Sequence, residues 1–571
     1  MRALSPKGIL SGAAVAALAA CAACMNDTRP ADIAITRGRI HTMHDGQPLA
    51  QAVAIRAGRI VFVGDDAGAR AHIGPATRVI DAGGRPVVPG FIDAHVHPIS
   101  GYGLYLAEDT TAEAVYDAIA AWASSHPEEA WIEGYGWDLN LFLPKGPRHE
   151  VLDSLVPDRP AIIWGGDGHS LWANSRALAA AGIDAATSDP TGGRIERDAD
   201  SSPSGTLREA AATIVERVVP PWSHEKRLSA LVRSLDRMRS FGITGFLDAA
   251  VDDQAMLDVY REASRRGLLT AHASLSLAVP REGETIDIAA TVARFLDMRA
   301  SVTEDDIAPN TVKIFVDGVI EAGTAAMLEP YVGAGSDRGE LLRQPAILDS
   351  LTRALHDAGF QLHYHAIGDR AIRAVLDAVE GAGIPADGPP PGRPLLAHVQ
   401  VVDPVDVRRF TELGAIPVFQ ALWAYADKYI TDLTIPRLGP ERSSAIYPIG
   451  TLLRAGAPIA LGSDWPVTSM DPMRAIEVAV TRIDPDVQTD GGAFLPAERI
   501  DVAAAVRAYT LGSARATLRE GETGSIEVGK RADLIILSDD IFAIEPQRIA
   551  DTRVLLTLFG GREVYRDTSF R

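Results

Sequence analysis

The stretch VVPGFIDAHVHP, residues 87 to 98, places His95 and His97 two residues apart where an apolar run ends. In a strand, residues i and i+2 project from the same face, so both imidazoles point the same way. A pair of imidazoles at the end of a buried strand can start a metal site. Four more residues of ligand or acid–base type lie in similar settings: Lys313 in TVKIFVDG, His365 in QLHYHAIG, His398 in PLLAHVQ and Asp464 in LGSDWPV. Taken singly, a strand histidine is more often a satisfied core residue, and an aspartate after Gly-Ser more often caps a turn. Lys313 resists that explanation, because a lysine among apolar strand residues is rarely buried unpaired. Imidazole nitrogen and carboxylate oxygen suit zinc or a similar divalent ion, and a catalytic site keeps one position open for water. Four histidines, a carboxylate and a lysine exceed the needs of one tetrahedral ion. Two ions would use them all.

Something must bring these residues together. Beyond the first segment, seven short apolar runs read as strands: 243–249, 268–275, 312–318, 361–368, 394–400, 415–420 and 458–464. Helical patterns such as PAILDSLTRALHDAG and DRAIRAVLDAVEGAG lie between several of them. Eight strands alternating with helices predict a parallel (β/α)8 TIM barrel, whose strand ends meet at one mouth. Five of the eight strands carry a candidate residue in this way. The connection from Pro98 to Gly242 is too long for one βα unit and predicts an inserted subdomain at about 130–240. Strand-like, turn-punctuated segments at 32–88 and 511–567 predict a small composite β-sandwich built from both ends of the chain, around a barrel at 89–510.

The formal net charge of −20 and the pI of about 5.2 argue against a nucleic-acid partner, which would need a basic face. Both cysteines, Cys21 and Cys24, sit at the start of the chain, so the remainder has no thiol for catalysis and no disulfide. A short basic region followed by the small apolar residues up to Ala20 predicts a signal peptide at 1–20. LAAC, residues 18 to 21, resembles a lipoprotein cleavage box, with Cys21 as the lipidated residue. The expectation is an exported protein, lipid-anchored to a membrane surface on the periplasmic side of the cell envelope; without lipidation it would be secreted or periplasmic. A homodimer is compatible with this reading.

Several stretches together resemble the metal-dependent amidohydrolases, in particular the amidohydrolase 3 subgroup that includes N-substituted formamide deformylase. They are VVPGFIDAHVHP, GHSLWANSRAL, TGGRIERDADSSPSGTLREAA, VKIFVDGVIEAGTAAMLEPY, HAIGDRAI, AHVQ, LGSDWPV and GSIEVGKRADLIIL, and they span roughly 32 to 566. The resemblance implies a barrel with an attached β-sandwich and two divalent ions, with zinc the expected metal. It implies that His95, His97 and Asp464 bind one ion, that His365 and His398 bind the other, and that Lys313, carboxylated by CO2 to a carbamate, bridges them. Metal ions lower the pKa of water from about 15.7 to roughly 7, and Asp464 would act as the catalytic proton carrier. The implied reaction is hydrolysis of a non-peptide carbon–nitrogen bond in a small amide, N-formyl compound or cyclic amide. Alternatives are a mononuclear deaminase or other lyase-type reaction on the same barrel, or a non-catalytic envelope lipoprotein.

Other residues take expected supporting places. His169, Trp137 and Trp465 are candidates to contact substrate, with Trp172 a further aromatic of the inserted region. His363 shares a face with His365 and is expected beside the site, where it could compete as a ligand. Asp317 and Glu321 could support the ligands. His272 has no assigned role.

Overall fold

The computed structural model describes residues 29–99, 103–106, 111–280, 286–386, 392–486 and 492–570. The expected signal peptide and Cys21 lie outside them. At its centre is an eight-stranded parallel sheet whose order follows the chain. Its strands are β1 (Phe91–Val96), β2 (Ile243–Val251), β3 (His272–Ala278), β4 (Ile307–Phe315), β5 (Gln361–Ala366), β6 (Leu395–His398), β7 (Ile416–Phe419) and β8 (Ala460–Leu461). The seam between β8 and β1 closes just past the short last strand. There the Asp464 N–H donates to the His95 carbonyl at 2.7 Å and the His97 N–H to the Trp465 carbonyl at 2.8 Å. The molecule is therefore a (β/α)8 barrel.

Helices cover the sheet because their apolar stripes match its outer face. His224–Ser240 buries Leu228, Leu231, Leu235 and Met238, and Ser223 caps it by accepting from the Lys226 N–H at 3.2 Å. Asp369–Ala382 follows β5 and stops at Gly383, whose φ of 68° supplies the left-handed turn that ends a helix.

The inserted subdomain is built on a six-stranded sheet with strands in the order 193–197, 203–209, 170–173, 161–165, 132–137 and 104–105. It starts at Leu104, earlier than the expected 130. It ends before the expected 240, because His224–Ser240 packs on β2 and on the next barrel helix, Gln254–Arg265. The tryptophan expectation needs correcting here. Trp137 is fully buried in the subdomain core, where its indole N–H donates to the Ile163 carbonyl at 2.9 Å, and it lines no substrate space. Trp172 is likewise buried and donates to the Arg148 carbonyl at 3.0 Å. Both satisfy a polar N–H inside an apolar core, which is what a buried indole requires.

Both ends of the chain form the second domain. One sheet runs 59–64, 52–56, 33–36, 78–81; the other runs 562–566, 554–559, 534–537, 86–89, 39–41, 49–50. Ile35, Val53, Ile80, Val87, Ile536 and Leu556 share its core. Its C-terminal strands begin at Leu534, later than the expected 511. The short helix Ser513–Ala516 instead caps the barrel floor, with Ala516 packed among Ala94, Leu247 and Leu395. His272 sits at that floor, its Nε2 3.2 Å from Asp533 Oδ2 and its Nδ1 3.1 Å from Arg519 Nη2, so it ties barrel to sandwich at the end opposite the mouth. No helix among the described residues is long and apolar enough to cross a membrane.

Closure of the seam leaves no room at Gly462. A Cβ there would lie 2.6 Å from the His95 nitrogen and 2.9 Å from the His95 Cβ. Gly462→Ala is expected to destabilise the fold by about 1–3 kcal/mol, measured by denaturant unfolding; an unchanged midpoint would show that the seam is loose.

Candidate metal centre

β1 delivers His95 and His97 to the mouth, and the turn after β8 delivers Asp464 between them. Asp464 Oδ1 lies 3.3 Å from His95 Nε2 and 3.1 Å from His97 Nε2. One ligand atom from each of the three falls within 4.8 Å of the others, a spacing and donor set that fit a divalent cation. Asp464 reaches this position with φ of 55°, an uncommon conformation for a residue with a side chain and one that clusters at functional sites.

Asp93, two residues before His95, holds that turn in place. Its Oδ1 accepts from the backbone N–H groups of His95 at 3.1 Å and Ser463 at 2.9 Å, and its Oδ2 from the Ser463 hydroxyl at 2.6 Å. Ser463 Oγ in turn accepts from the Trp465 N–H at 3.0 Å. Burial pushes the Asp93 carboxyl up to about 7, against these hydrogen bonds. The motif thus supplies both imidazoles and the bracket for the carboxylate that faces them.

The other candidates converge on the same point. Lys313, on β4, is almost wholly buried with its Nζ 3.5 Å from His95 Nε2. His398 ends β6 with φ of 78°; its Nδ1 lies 2.8 Å from Gln420 Oε1 and 3.9 Å from Asp464 Oδ2, which leaves Nε2 for another partner. His365, on β5, has its ring centre 4.5 Å from that of His398, and its Nδ1 is 3.3 Å from Asp317 Oδ1. Asp317 is immobilised by the N–H groups of Ala326 at 3.0 Å, Ile367 at 3.0 Å and Gly368 at 2.8 Å. Glu321 accepts from Thr434 and Gln400. All six side chains singled out in the sequence meet at the C-terminal mouth of the barrel.

The cluster's electrostatics suit cation binding. Burial pulls His95 and His365 well below the usual histidine range, with Lys313 adding to the effect at His95, and pulls His398 to about 3. These rings are neutral and carry lone pairs. Burial alone would raise the Asp464 carboxyl, but the imidazoles of His95 and His97 outweigh it and hold the group well below its ordinary value. The result is an anion among neutral imidazoles, the protonation state a metal site needs.

A cavity of about 750 Å³ opens above the cluster, lined by these residues and by Tyr135, Trp164, His169 and Trp222 of the inserted region. His169 Nδ1 lies 2.7 Å from Glu209 Oε2, while Glu209 Oε1 accepts from the Thr324 hydroxyl at 2.6 Å. Glu209 adopts φ 49° and ψ −126°, a strained backbone for a non-glycine residue. Gly318 makes room for it, since a Cβ there would come within 2.4 Å of Glu209 Oε1. Trp465 is a second correction: its ring packs against Tyr105 at 5.2 Å and under the Arg237 guanidinium at 4.7 Å, while its neighbours Pro466 and Val467 line the cavity. Aromatic rings that do reach the metal-binding side include Trp423, stacked on His398 at 5.5 Å, and Phe315, 5.6 Å from the His365 ring. Asp93, Glu209, Gln420 and Trp423 were not singled out in the sequence, although Asp93 lies in VVPGFIDAHVHP and Glu209 in TGGRIERDADSSPSGTLREAA.

A barrel with an imidazole–carboxylate cluster at its strand ends defines the class of metal-dependent hydrolases. The amidohydrolase family model matches residues 78–565, and the chain belongs to that family. It is 32% identical over 559 residues to the protein LONG AFTER FAR-RED 3 of Arabidopsis thaliana, covering 94% of this chain and 92% of that protein. It is 27% identical over 563 residues to the N-substituted formamide deformylase of Arthrobacter pascens, covering 95% and 99%. In fold it is similar to a metal-dependent hydrolase from Pyrococcus furiosus, with a TM-score of 0.69 at 23% identity over 89% of this chain and 99% of the other.

Asp93→Ala leaves three buried donors without their acceptor. It is expected to cost about 2 kcal/mol or more in stability and to lower metal occupancy, read by thermal unfolding and metal analysis; full occupancy would show that Asp464 needs no bracket.

Proposed function

We propose that the chain is a metal-dependent hydrolase of carbon–nitrogen bonds other than peptide bonds, acting on an N-formyl compound, small amide or cyclic amide. The observation that carries this reading is the placing of Asp464 within 3.3 Å of His95 and His97 at the floor of a large cavity. In the proposal, His95, His97 and Asp464 would hold one divalent ion, His365 and His398 would hold a second, and a carbamate on Lys313 would serve both. Bound zinc would supply a water acidic enough to attack at neutral pH and would polarise the carbonyl. Asp464 would take a proton from the attacking water and return it to the leaving nitrogen as the C–N bond breaks and the new C–O bond forms. The neutral imidazoles keep the cluster's negative charge on Asp464 and the carbamate. His169, braced by Glu209 and with its ring 5.1 Å from that of His365, would present that ring to the substrate, and Trp164 and Trp222 give an apolar N-substituent somewhere to lie.

Similarity over nearly the whole length to the relative named N-substituted formamide deformylase supports this choice of bond. The cleavage-box sequence supports a lipid-anchored protein, with Cys21 as the attachment point.

Metal analysis should find two zinc equivalents per chain, and chelation should abolish turnover of a panel of N-formyl, N-acyl and cyclic amides, with zinc restoring it. One equivalent and indifference to replacement of Lys313 would instead favour a mononuclear reaction. Asp464→Asn is expected to lower turnover by about 10²–10⁴ in protein reloaded with metal. Equal turnover by the metal-replete variant and the wild type refutes the reading.

A further inference from the structure

The two histidines of β5 have different surroundings. His365 faces the mouth, whereas His363, two residues earlier, is fully buried and lines no part of the cavity. Its Nε2 lies 3.1 Å from His95 Nδ1, and its Nδ1 lies 3.1 Å from the hydroxyl of Ser276 on β3. A chain of three buried polar side chains thus crosses the barrel interior from β3 through β5 to β1.

Its proton order can be worked out. The 3.1 Å approach of His95 Nδ1 and His363 Nε2 is one hydrogen bond, with a single proton between the two rings. At its other nitrogen, His95 Nε2 faces Asp464 and Lys313 in the metal cluster. A neutral imidazole can offer a lone pair at Nε2 only when its proton sits on Nδ1. His95 must therefore donate from Nδ1 to His363 Nε2. His363 then carries its own proton on Nδ1 and donates it to Ser276 Oγ.

We infer that Ser276 and His363 form a neutral relay that locks His95 in its Nδ1–H form, making His363 a positioning residue for the metal cluster. The inference rests on the two-metal reading above and deepens it. Metal-bound histidines usually donate to a carboxylate, a backbone carbonyl or water. Here the acceptor is an uncharged imidazole, which orients the ligand without adding negative charge. Such an acceptor makes His95 a weaker electron donor and leaves the ion a stronger Lewis acid than an aspartate in its place would.

The test is a zinc titration of the metal-stripped full chain by chelator competition, for the wild type and for His363→Leu, His363→Gln and Ser276→Ala. Leucine fills the space without an acceptor, whereas glutamine keeps an amide oxygen for the His95 N–H. His363→Leu is expected to weaken one of the two zinc equivalents roughly 10- to 100-fold, and His363→Gln to hold it within a few-fold of wild type. Ser276→Ala, which leaves the ring in place but removes its acceptor, is expected to weaken the same equivalent by a few-fold. If His363→Leu does not fold, the glutamine and alanine variants decide. Wild-type affinity in Ser276→Ala, or glutamine as poor as leucine, overturns the relay, since packing alone would then explain the residue. Zinc uptake by wild type with an unchanged His363→Leu sinks this inference alone, whereas no uptake by wild type sinks the hydrolase reading with it.

Discussion

The weld between β1 and the turn after β8 is the constraint on which the rest of the site depends. A parallel barrel must close between its first and last strands, and here the last strand is only two residues long. Closure falls to the residues that follow it: Asp464 and Trp465 exchange backbone hydrogen bonds with His95 and His97, while Asp93 clamps Ser463 with both carboxylate oxygens. The same bonds that shut the barrel set the only carboxylate of the expected ligand set against two imidazoles. Structural closure and assembly of the candidate metal centre are one event. The absence of a side chain at Gly462 is what allows the approach.

Burial then sets the chemistry of the cluster. Histidines removed from water lose their charged forms, because an imidazolium costs far more to bury than a neutral ring. An aspartate among them would also be penalised, yet the facing imidazoles of His95 and His97 hold it ionised. Neutral lone pairs around a fixed anion form a cavity that a divalent cation can complete. Each ring is also held from behind: His95 by His363, His398 by Gln420, and His365 near Asp317. These outer groups fix which nitrogen faces inward.

The inserted subdomain adds a second wall rather than a second site. Its sheet is stabilised by its own core, with Trp137 and Trp172 among the buried side chains. What it extends over the mouth is local: His169 on its Glu209 brace, with Tyr135 and Trp164 beside it. The strained backbone of Glu209 is tolerated because Thr324, on the loop after β4, engages its Oε1 and Gly318 gives it space. Loop, insertion and barrel therefore meet around one carboxylate, which is how a site built on a common fold acquires its own specificity.

Within the amino-acid sequence itself lay the features that depend on neighbours along the chain. The two-residue spacing of His95 and His97, the alternation of eight strands with helices, and the ending of five strands in Lys, His or Asp are local patterns, and local pattern determines strand faces and strand ends. Tertiary structure decided everything that depends on a partner far away. Asp93 finds Ser463 across 370 residues, Ser276 finds His363 across 87, and Glu209 finds Thr324 across 115. The tryptophans show the same limit from the other side: nothing local distinguishes Trp137, sealed in the insertion's core, from Trp423, stacked on His398 beside the cavity. An indole suits either setting, and only the packing of whole elements determines which one it meets.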